Sequence, residues 1–231
     1  WNKILTELNG QLPLRVLSIP EGTIVPLSIP LMAVTNTIAG YGWLVGYFEP
    51  LFLHVWYPTT VATISYSIRT VVEDAYKKTV CDERQNSLFK LHDFGFRGAS
   101  SCESAGIGGS AHLVAGWRGT DTIQGMVELI DNYAANPADI AYSIRATEHS
   151  IMCAWSDAET RNDYEALQMV ISTLEKHKGL IAAVGDTYSI TRFAEWVSTD
   201  PIKSRIINSG GTLVVRPDSG DPVETPVEVL K

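Results

Sequence analysis

The stretch DYEALQMVISTLEKHKGLIAAVGD, residues 163–186, contains a helix pattern followed by a strand pattern. Its first part places apolar residues at spacings of three and four, which predicts one buried helix face over Asp163–Lys176. Those apolar residues are Tyr164, Leu167, Val170, Ile171 and Leu174. The apolar run Leu180–Val184 is typical of a buried strand, and the polar Asp186 follows where that strand ends. A helix that leads into a buried strand is the repeating element of parallel α/β folds.

The same alternation continues on both sides of this stretch. A further helix is predicted over Tyr188–Val197, again from apolar residues at helical spacing. The predicted strands are Leu88–His92, His112–Ala115, Tyr142–Ala146, Leu180–Val184 and Thr212–Val215. Strands that alternate with helices predict a parallel sheet with right-handed crossovers, so we expect residues 86–231 to form one α/β domain.

Residues 1–85 are richer in Pro, Thr and aromatic residues and predict a separate α+β segment. Two short apolar runs, Val16–Ile19 and Thr23–Leu27, flank the turn residues Pro20-Glu21-Gly22 and predict a hairpin. Pro58 then opens a long helical pattern, as expected for a proline in the first helical turn. The apolar residues of that pattern are Val61, Ile64, Ile68, Val71, Val72 and Ala75.

The composition limits the class of protein. The 231 residues include 18 Lys+Arg and 26 Asp+Glu, which gives a net charge of −8, and 45% of the residues are apolar. Disordered chains combine low hydrophobicity with a high charge density, so this chain is expected to fold. Nucleic-acid binding needs a cationic surface, so no nucleic-acid partner is expected.

An uncharged stretch from Ile24 to Phe48 resembles a membrane span in composition. It contains two prolines and the polar run Thr35-Asn36-Thr37, which favour turns and strands over a lipid-facing helix. We therefore expect no membrane association.

The chain has three cysteines, Cys81, Cys102 and Cys153, and no CxxC pair. This spacing predicts neither a structural zinc site nor a disulfide framework. Free thiols are typical of a reducing compartment, so a cytoplasmic location is expected.

Polar residues follow the predicted strands at the points where they end. The clusters are His92-Asp93, Arg118–Asp121, Glu148-His149, Asp186 and Arg216–Asp218. In a (β/α) barrel the active site lies at the carboxyl ends of the strands, so this register favours a shared site. The alternative interpretation is that strand ends meet polar loops in any fold.

The motif HDFGFRG, residues 92–98, combines residue types suited to ligand binding. Its glycines allow a sharp turn and a close approach of the backbone to a ligand. Arg97 offers a planar fork for phosphate or carboxylate, and the two phenylalanines offer flat faces for stacking. The alternative is a surface turn in which Arg97 pairs with Asp93.

Three further motifs each allow two interpretations. The Gly-rich run at residues 105–110 could cradle a phosphate at a helix start, but tight helix–strand packing is favoured. His149 follows a strand and could act as a base or nucleophile, or be structural. The motif RPDSGD, which contains Arg216 and Asp218, suits a sugar phosphate, but its residues also form plain turns.

The motifs LHDFGFRGASS, AGIGGSAHLV, GTDT, EHS, GDTYS and RPDSGDP occur in this order along the chain. Together they resemble the nicotinamide phosphoribosyltransferase family, from about His54 to Lys231. The resemblance implies an α/β fold: a partial (β/α) barrel of the type II phosphoribosyltransferase kind with an N-terminal α+β segment. It also implies that this chain corresponds to about half of a family chain, and that the complete enzyme is a homodimer with active sites at the dimer interface.

The resemblance assigns five residues to substrate binding. Phe94 would stack on the pyridine ring, and Ser143 would line the pocket. Asp121 would accept a hydrogen bond from the carboxamide and repel the carboxylate of nicotinate, which would select the amide. Arg97 and Arg216 would contact phosphate and the polar edge of the ligand.

The resemblance assigns three further residues to the chemistry. Asp218 would hold the ribose hydroxyls, and Asp186 would support the site near the pyrophosphate. His149 matches a histidine that is phosphorylated in the family, so it would couple hydrolysis of ATP, an activating co-substrate, to the reaction. Mg²⁺ is expected to arrive with the phosphoribosyl donor, and no protein metal site is expected.

The implied reaction transfers a phosphoribosyl group from 5-phosphoribosyl 1-pyrophosphate to nicotinamide, which yields nicotinamide mononucleotide and pyrophosphate. Two alternatives remain open at this point. One is a nicotinate phosphoribosyltransferase of the same fold, and the other is a non-catalytic fragment or binding module.

Overall fold

The computed structural model describes residues 1–81 and 86–231. They form a mixed α/β structure with two compact units, Trp1–Ala141 and Tyr142–Lys231. The predicted domain boundary falls after residue 85, which lies outside the described residues.

The first unit begins with a short helix and an antiparallel strand pair. These elements are α1 (Asn2–Glu7), β1 (Leu14–Ser18) and β2 (Met32–Asn36). Their register runs from Leu14 opposite Asn36 to Ser18 opposite Met32. The predicted turn is confirmed, since the Thr23 N–H donates to the Pro20 carbonyl at 3.2 Å.

The predicted second strand of this hairpin, Thr23–Leu27, is wrong. That segment is a loop in which Leu27 is 95% exposed, and β1 pairs with β2 instead. Pro26 has no N–H to donate to a strand partner, and β2 offers an uninterrupted donor row. A short apolar run beside a turn did not distinguish a strand from an exposed loop.

Two helices follow, α2 (Trp43–Leu53) and α3 (Trp56–Thr79). The predicted long helix is confirmed as α3, with Pro58 in its first turn. The face of α3 that packs inward differs from the predicted apolar stripe, because Ile64 and Val71 are exposed while Ser65 is buried. The buried Trp117 indole lies against this inward face and donates to the Ser65 carbonyl at 2.9 Å.

The rest of the first unit contains two parallel strands and two helices. These are β3 (His92–Asp93), α4 (Cys102–Val114), β4 (Gly119–Thr120) and α5 (Ile123–Tyr133), with β3 paired to β4. Of the predicted strand Leu88–His92, only its last residue lies in β3, because Ser87–Phe89 form a 3₁₀ turn.

The predicted strand His112–Ala115 is wrong, because its first three residues end α4. The helix begins after Ser101, whose hydroxyl accepts a hydrogen bond from the Ser104 N–H at 3.1 Å. The Gly-rich run lies inside this helix and packs against α5 rather than a strand. A Cβ on Gly125 would lie 2.7 Å from the backbone carbonyl carbon of Gly109, so the two helix backbones meet directly.

The second unit carries a three-stranded parallel sheet in the order β5-β6-β7. Its strands are β5 (Arg145–Ala146), β6 (Leu180–Val184) and β7 (Thr212–Arg216). Its helices are α6 (His149–Trp155), α7 (Tyr164–His177), α8 (Ile190–Ser198), α9 (Ile202–Ser209) and α10 (Glu224–Leu230). The predicted strands at β6 and β7 and the predicted helices at α7 and α8 are confirmed, whereas the predicted strand Tyr142–Ala146 is reduced to its last two residues.

The core of the second unit lies between α7, α8 and β6. Leu167, Ile171, Leu174, Val184 and Phe193 are completely buried there. Each such side chain contributes about 1.5–3 kcal/mol through the hydrophobic effect. This packing fixes the carboxyl end of β6, and the predicted site residue Asp186 follows that end.

None of the helices in the described part of the chain combines the length and hydropathy that crossing a bilayer requires. The uncharged stretch 24–48 is divided among loop segments, β2 and the first half of α2.

Candidate active site

The carboxyl ends of the three parallel strands in the second unit are tied together by backbone hydrogen bonds. The Thr147 N–H after β5 donates to the Ala182 carbonyl of β6 at 2.9 Å. The Gly185 N–H after β6 donates to the Arg216 carbonyl of β7 at 3.1 Å. The residues that follow these strands are therefore brought to one edge of the sheet.

Asp186 is the centre of the side-chain cluster at this edge. Its Oδ1 lies 3.1 Å from His149 Nε2. Its Oδ2 accepts hydrogen bonds from the Asp218 N–H at 3.0 Å and from the Ser219 hydroxyl at 2.5 Å. The Asp186 side chain is only 4% exposed, so this carboxylate is held from several directions.

Two opposing effects set the pKa of Asp186. Burial raises the pKa, because the charged form loses solvation. The hydrogen bonds from Ser219, the Asp218 N–H and His149 act in the opposite direction and leave the pKa below its usual value. Asp186 is therefore an anion at neutral pH and can orient the imidazole of His149.

The remaining charged residues of this cluster form looser ion pairs. The Arg216 guanidinium lies 3.6 Å from Asp218 Oδ1 and 3.7 Å from Glu148 Oε2. His149 Nδ1 lies 3.7 Å from Asp218 Oδ2. A guanidinium, an imidazole and three carboxylates thus occupy one small area, which suits a ligand that carries both phosphate and hydroxyl groups.

In the first unit, Asp93 fixes the turn that follows β3. Its Oδ1 accepts from the Gly95 N–H at 2.7 Å, and its Oδ2 accepts from the Thr120 hydroxyl at 3.1 Å. A Cβ on Gly95 would lie 2.9 Å from the same Asp93 oxygen, so this close approach requires glycine. Asp93 therefore holds the loop through Gly95 and Thr120, rather than through the alternative ion pair with Arg97. Arg97 is exposed on the 3₁₀ turn Gly95–Gly98.

His92 connects the two predicted pyridine-binding residues of this unit. Its Nε2 lies 2.9 Å from Asp121 Oδ1. Its ring centroid lies 4.5 Å from that of Phe94, with an angle of 35° between the planes. The three side chains form a continuous set of polar and aromatic groups at the carboxyl ends of β3 and β4.

A cavity of about 310 Å³ adjoins this set, between α3, α4 and β3. Its lining includes Tyr57, His92, Asp93, Phe94 and His112. Burial lowers the pKa of His112, and a hydrogen bond to the Gly119 carbonyl only partly offsets that effect. His112 is therefore neutral at pH 7 and acts as a buried hydrogen-bonding group.

The eight predicted site residues are divided between the units. Phe94, Arg97 and Asp121 belong to the first unit, and Ser143, His149, Asp186, Arg216 and Asp218 belong to the second. The structure brings His149, Asp186, Arg216 and Asp218 together, and it links Phe94 to Asp121 through His92. Ser143 lies on the exposed segment that leads into β5.

Sequence reasoning did not select His92, Ser219 or Glu148 as site residues. Glu148 stands directly beside the selected His149, Ser219 follows the selected Asp218, and His92 lies two residues before the selected Phe94. Their contacts join the ends of different strands, so local sequence does not predict these contacts. The available signal was that each residue lies close in the sequence to a selected one.

Comparison with known proteins shows which family the chain belongs to. Residues 89–231, more than half of the chain, match the model of the nicotinate phosphoribosyltransferase (NAPRTase) family. The chain belongs to this family. The family segment contains all eight predicted site residues and each parallel strand described above.

Several curated relatives are named nicotinamide phosphoribosyltransferase. The chain is 40% identical over 232 residues to the protein of Xanthomonas campestris pv. campestris (strain 8004), a match that covers all of this chain and 48% of that protein. It is 33% identical to the protein of Acinetobacter baylyi, which covers 93% of this chain and 42% of that protein. It is 31% identical to the protein of Mycoplasma genitalium, which covers 93% of this chain and 44% of that protein. The chain thus spans about half the length of the curated relatives it matches or somewhat less.

Proposed function

We propose that the protein to which this chain belongs transfers a phosphoribosyl group from 5-phosphoribosyl 1-pyrophosphate to nicotinamide. The products are nicotinamide mononucleotide and pyrophosphate, as in NAD salvage. The observation that carries the proposal is the cluster of His149, Asp186, Arg216 and Asp218 at the ends of parallel strands. Family membership and the names of the relatives support the same reaction.

The fold that suits this reaction is a (β/α) barrel of the type II phosphoribosyltransferase kind, of which this chain would be a part. Two features support it: the pairs β3–β4 and β5-β6-β7 are parallel, and the predicted site residues follow their carboxyl ends. In (β/α) barrels the active site is built from those ends.

The pyridine ring would bind beside Phe94, whose exposed ring offers a stacking face. Asp121 would accept a hydrogen bond from the carboxamide NH₂ and disfavour nicotinate by charge repulsion. Ser143 would line the pocket. A homodimer partner would supply the aromatic ring on the other side of the pyridine.

The phosphoribosyl donor would bind through Arg97, Arg216 and Asp218. The two guanidinium groups suit phosphate oxygens, and the Asp218 carboxylate suits the vicinal ribose hydroxyls. The pyridine nitrogen then attacks C1 of the ribose while the C1–O bond to pyrophosphate breaks. The protein contributes positioning and electrostatic stabilisation rather than a covalent nucleophile.

Mg²⁺ would enter with the donor. Among residues 1–81 and 86–231, no three His, Cys, Asp or Glu side chains are grouped as a metal centre requires. Protein-bound Mg²⁺ is commonly held by one or two carboxylates together with substrate phosphates, and Asp218 is a half-exposed carboxylate that fits this use. The ion would neutralise charge on the leaving pyrophosphate.

ATP would act as an activating co-substrate through His149. The buried Asp186 carboxylate accepts from His149 and fixes the imidazole, which is how an adjacent carboxylate prepares a histidine for phosphoryl transfer.

The three cysteines are free and exposed, which supports a cytoplasmic location for the protein.

A second candidate is transfer to nicotinate, which the description of the matching family favours. It uses the same donor site and differs in the group that faces Asp121. A competition between the two pyridines separates these candidates.

The donor site is tested with the complete gene product and two matched variants. We expect Asp218→Asn to lose most mononucleotide formation from nicotinamide and 5-phosphoribosyl 1-pyrophosphate. Asp221→Asn should keep it, because the Asp221 carboxylate accepts hydrogen bonds from the Val223 and Glu224 N–H groups at the start of α10. Equal activity of the two variants, or no product from the wild type, would overturn the proposal.

A further inference from the structure

We propose that His92 is a positioning residue that holds the Asp121 carboxylate and the Phe94 ring in the arrangement that receives a pyridine carboxamide. This inference rests on the proposed function and assigns a residue to its substrate selectivity. Three independent observations around β3 and β4 carry it.

The first observation is the hydrogen bond between His92 and Asp121. His92 Nε2 lies 2.9 Å from Asp121 Oδ1, and the Asp121 N–H donates to the Asp93 carbonyl at 2.9 Å. Asp121 is therefore fixed through both its backbone and its side chain. A carboxylate has about four acceptor positions, so it can accept from His92 and from a carboxamide at the same time.

The second observation is the contact between the His92 and Phe94 rings. Their centroids are 4.5 Å apart and their planes meet at 35°. Aromatic rings at this separation attract each other, so the imidazole restricts the orientation of the phenyl ring. One side chain thus contacts both the group that would stack on the pyridine and the group that would bind its amide.

The third observation is the space that β4 leaves for the imidazole. His92 lies opposite Gly119 in the parallel pair, and a Cβ on Gly119 would be 2.6 Å from His92 Nδ1. No side chain fits there while the imidazole keeps this position. Gly119→Ala should therefore displace the His92 ring and weaken its bond to Asp121.

This geometry separates two kinds of effect. Loss of the His92 hydrogen bond releases the Asp121 carboxylate, which weakens recognition of the carboxamide. Arg216 and Asp218, which are proposed to bind the phosphoribosyl donor, are held by contacts with Glu148 and Asp186 of their own unit. A positioning role therefore predicts a change in KM for nicotinamide and in the preference for nicotinamide over nicotinate, with little change in KM for the donor.

The test uses His92→Phe and His92→Gln in the complete gene product. His92→Phe keeps a ring beside Phe94 but loses the hydrogen bond, and we expect KM for nicotinamide to rise about tenfold, the size expected for one hydrogen bond to a charged group. We expect the nicotinamide preference to fall by a similar factor. His92→Gln retains an N–H donor and should retain most of the preference.

The control is His177→Phe, because His177 is an exposed residue at the end of α7. This variant should leave all kinetic parameters unchanged. The inference is overturned if His92→Phe keeps the wild-type KM for nicotinamide and the wild-type preference. It is also overturned if both His92 variants change the KM for the donor as much as the KM for nicotinamide and lower the melting temperature, which indicates a structural role. A wild-type protein that uses neither pyridine refutes the proposed function itself.

Discussion

At the scale of single residues, Asp186 shows how hydrogen bonds can overcome burial. Its side chain is almost fully covered, which disfavours the charged form, yet bonds from Ser219, Asp218 and His149 keep its pKa low. The strand-end register predicted that Asp186 would lie near His149 and Asp218. The sequence did not predict Ser219 as a donor, because that contact depends on how the loop after β7 turns back.

The charge of Asp186 should be required for the proposed action of ATP. We predict that Asp186→Asn lowers the ratio of the rate with ATP to the rate without ATP by about tenfold, since a charge-assisted hydrogen bond to His149 is lost. Steady-state assays of mononucleotide formation measure this ratio. Asp157→Asn is the control, because Asp157 binds Thr160 in an exposed turn of the same unit. An unchanged ratio in Asp186→Asn contradicts the proposed role.

His112 should make stability depend on pH. Burial lowers its pKa from 6.5, so the folded state favours the neutral ring and the unfolded chain binds the proton more readily. The stabilisation from this group is complete above pH 6.5 and is lost as the pH falls through the lowered pKa. Melting temperatures measured between pH 7.5 and pH 5 should fall more steeply for the wild type than for His112→Gln. Parallel curves would contradict this assignment.

At the scale of helices and strands, long periodic patterns predicted the structure well and short patterns did not. α7 and β6 were predicted because a full helical stripe and a bounded apolar run leave few alternatives. The run His112–Ala115 looks like a strand when taken alone, but the cap at Ser101 starts a helix that continues through it. β4 has only two residues, so it shows no pattern that a sequence can display.

Short sequence patterns also limited how much of the candidate site could be predicted. The clusters after β6 and β7 were predicted to share one edge, and they do. The hydrogen bond between His92 and Asp121 was not predicted. It depends on the pairing of two short strands and on the absence of a side chain at Gly119, which leaves room for the imidazole. Contacts between strand ends follow from tertiary packing rather than from local sequence.

The contact between α4 and α5 gives a prediction for stability. A Cβ at Gly125 would lie 2.7 Å from rigid backbone of Gly109, so we expect Gly125→Ala to lower the free energy of unfolding by about 1–3 kcal/mol. Gly46→Ala is the matched control, since Gly46 lies within α2 and a Cβ there meets nothing within 4 Å. That variant should be neutral or stabilising by up to about 1 kcal/mol. Urea denaturation measures both values, and equal stability of the two variants would contradict the packing assigned to this contact.

At the scale of the whole molecule, the two compact units carry different groups of proposed binding residues. The residues that would bind the pyridine ring lie mainly in the first unit, and those that would bind the phosphoribosyl donor lie mainly in the second. The chain covers 48% of its Xanthomonas relative. We therefore expect full activity from the complete gene product rather than from residues 1–231.

Calorimetry tests this expectation. Residues 1–231 alone should give no measurable heat of binding with nicotinamide, because the second aromatic ring of the proposed sandwich would come from a partner subunit of the complete enzyme. The complete gene product should give a clear binding isotherm under the same conditions. Equal affinity of the two preparations would show that the described residues contain the whole pyridine site.

We propose that the complete protein uses nicotinamide and selects it through Asp121. The most direct measurement incubates the complete gene product with 5-phosphoribosyl 1-pyrophosphate and equal amounts of nicotinamide and nicotinate, and quantifies both mononucleotides by mass spectrometry. We predict an excess of nicotinamide mononucleotide for the wild type and loss of that excess in Asp121→Ala. An excess of nicotinate mononucleotide, or a preference that Asp121→Ala leaves unchanged, would contradict the claim.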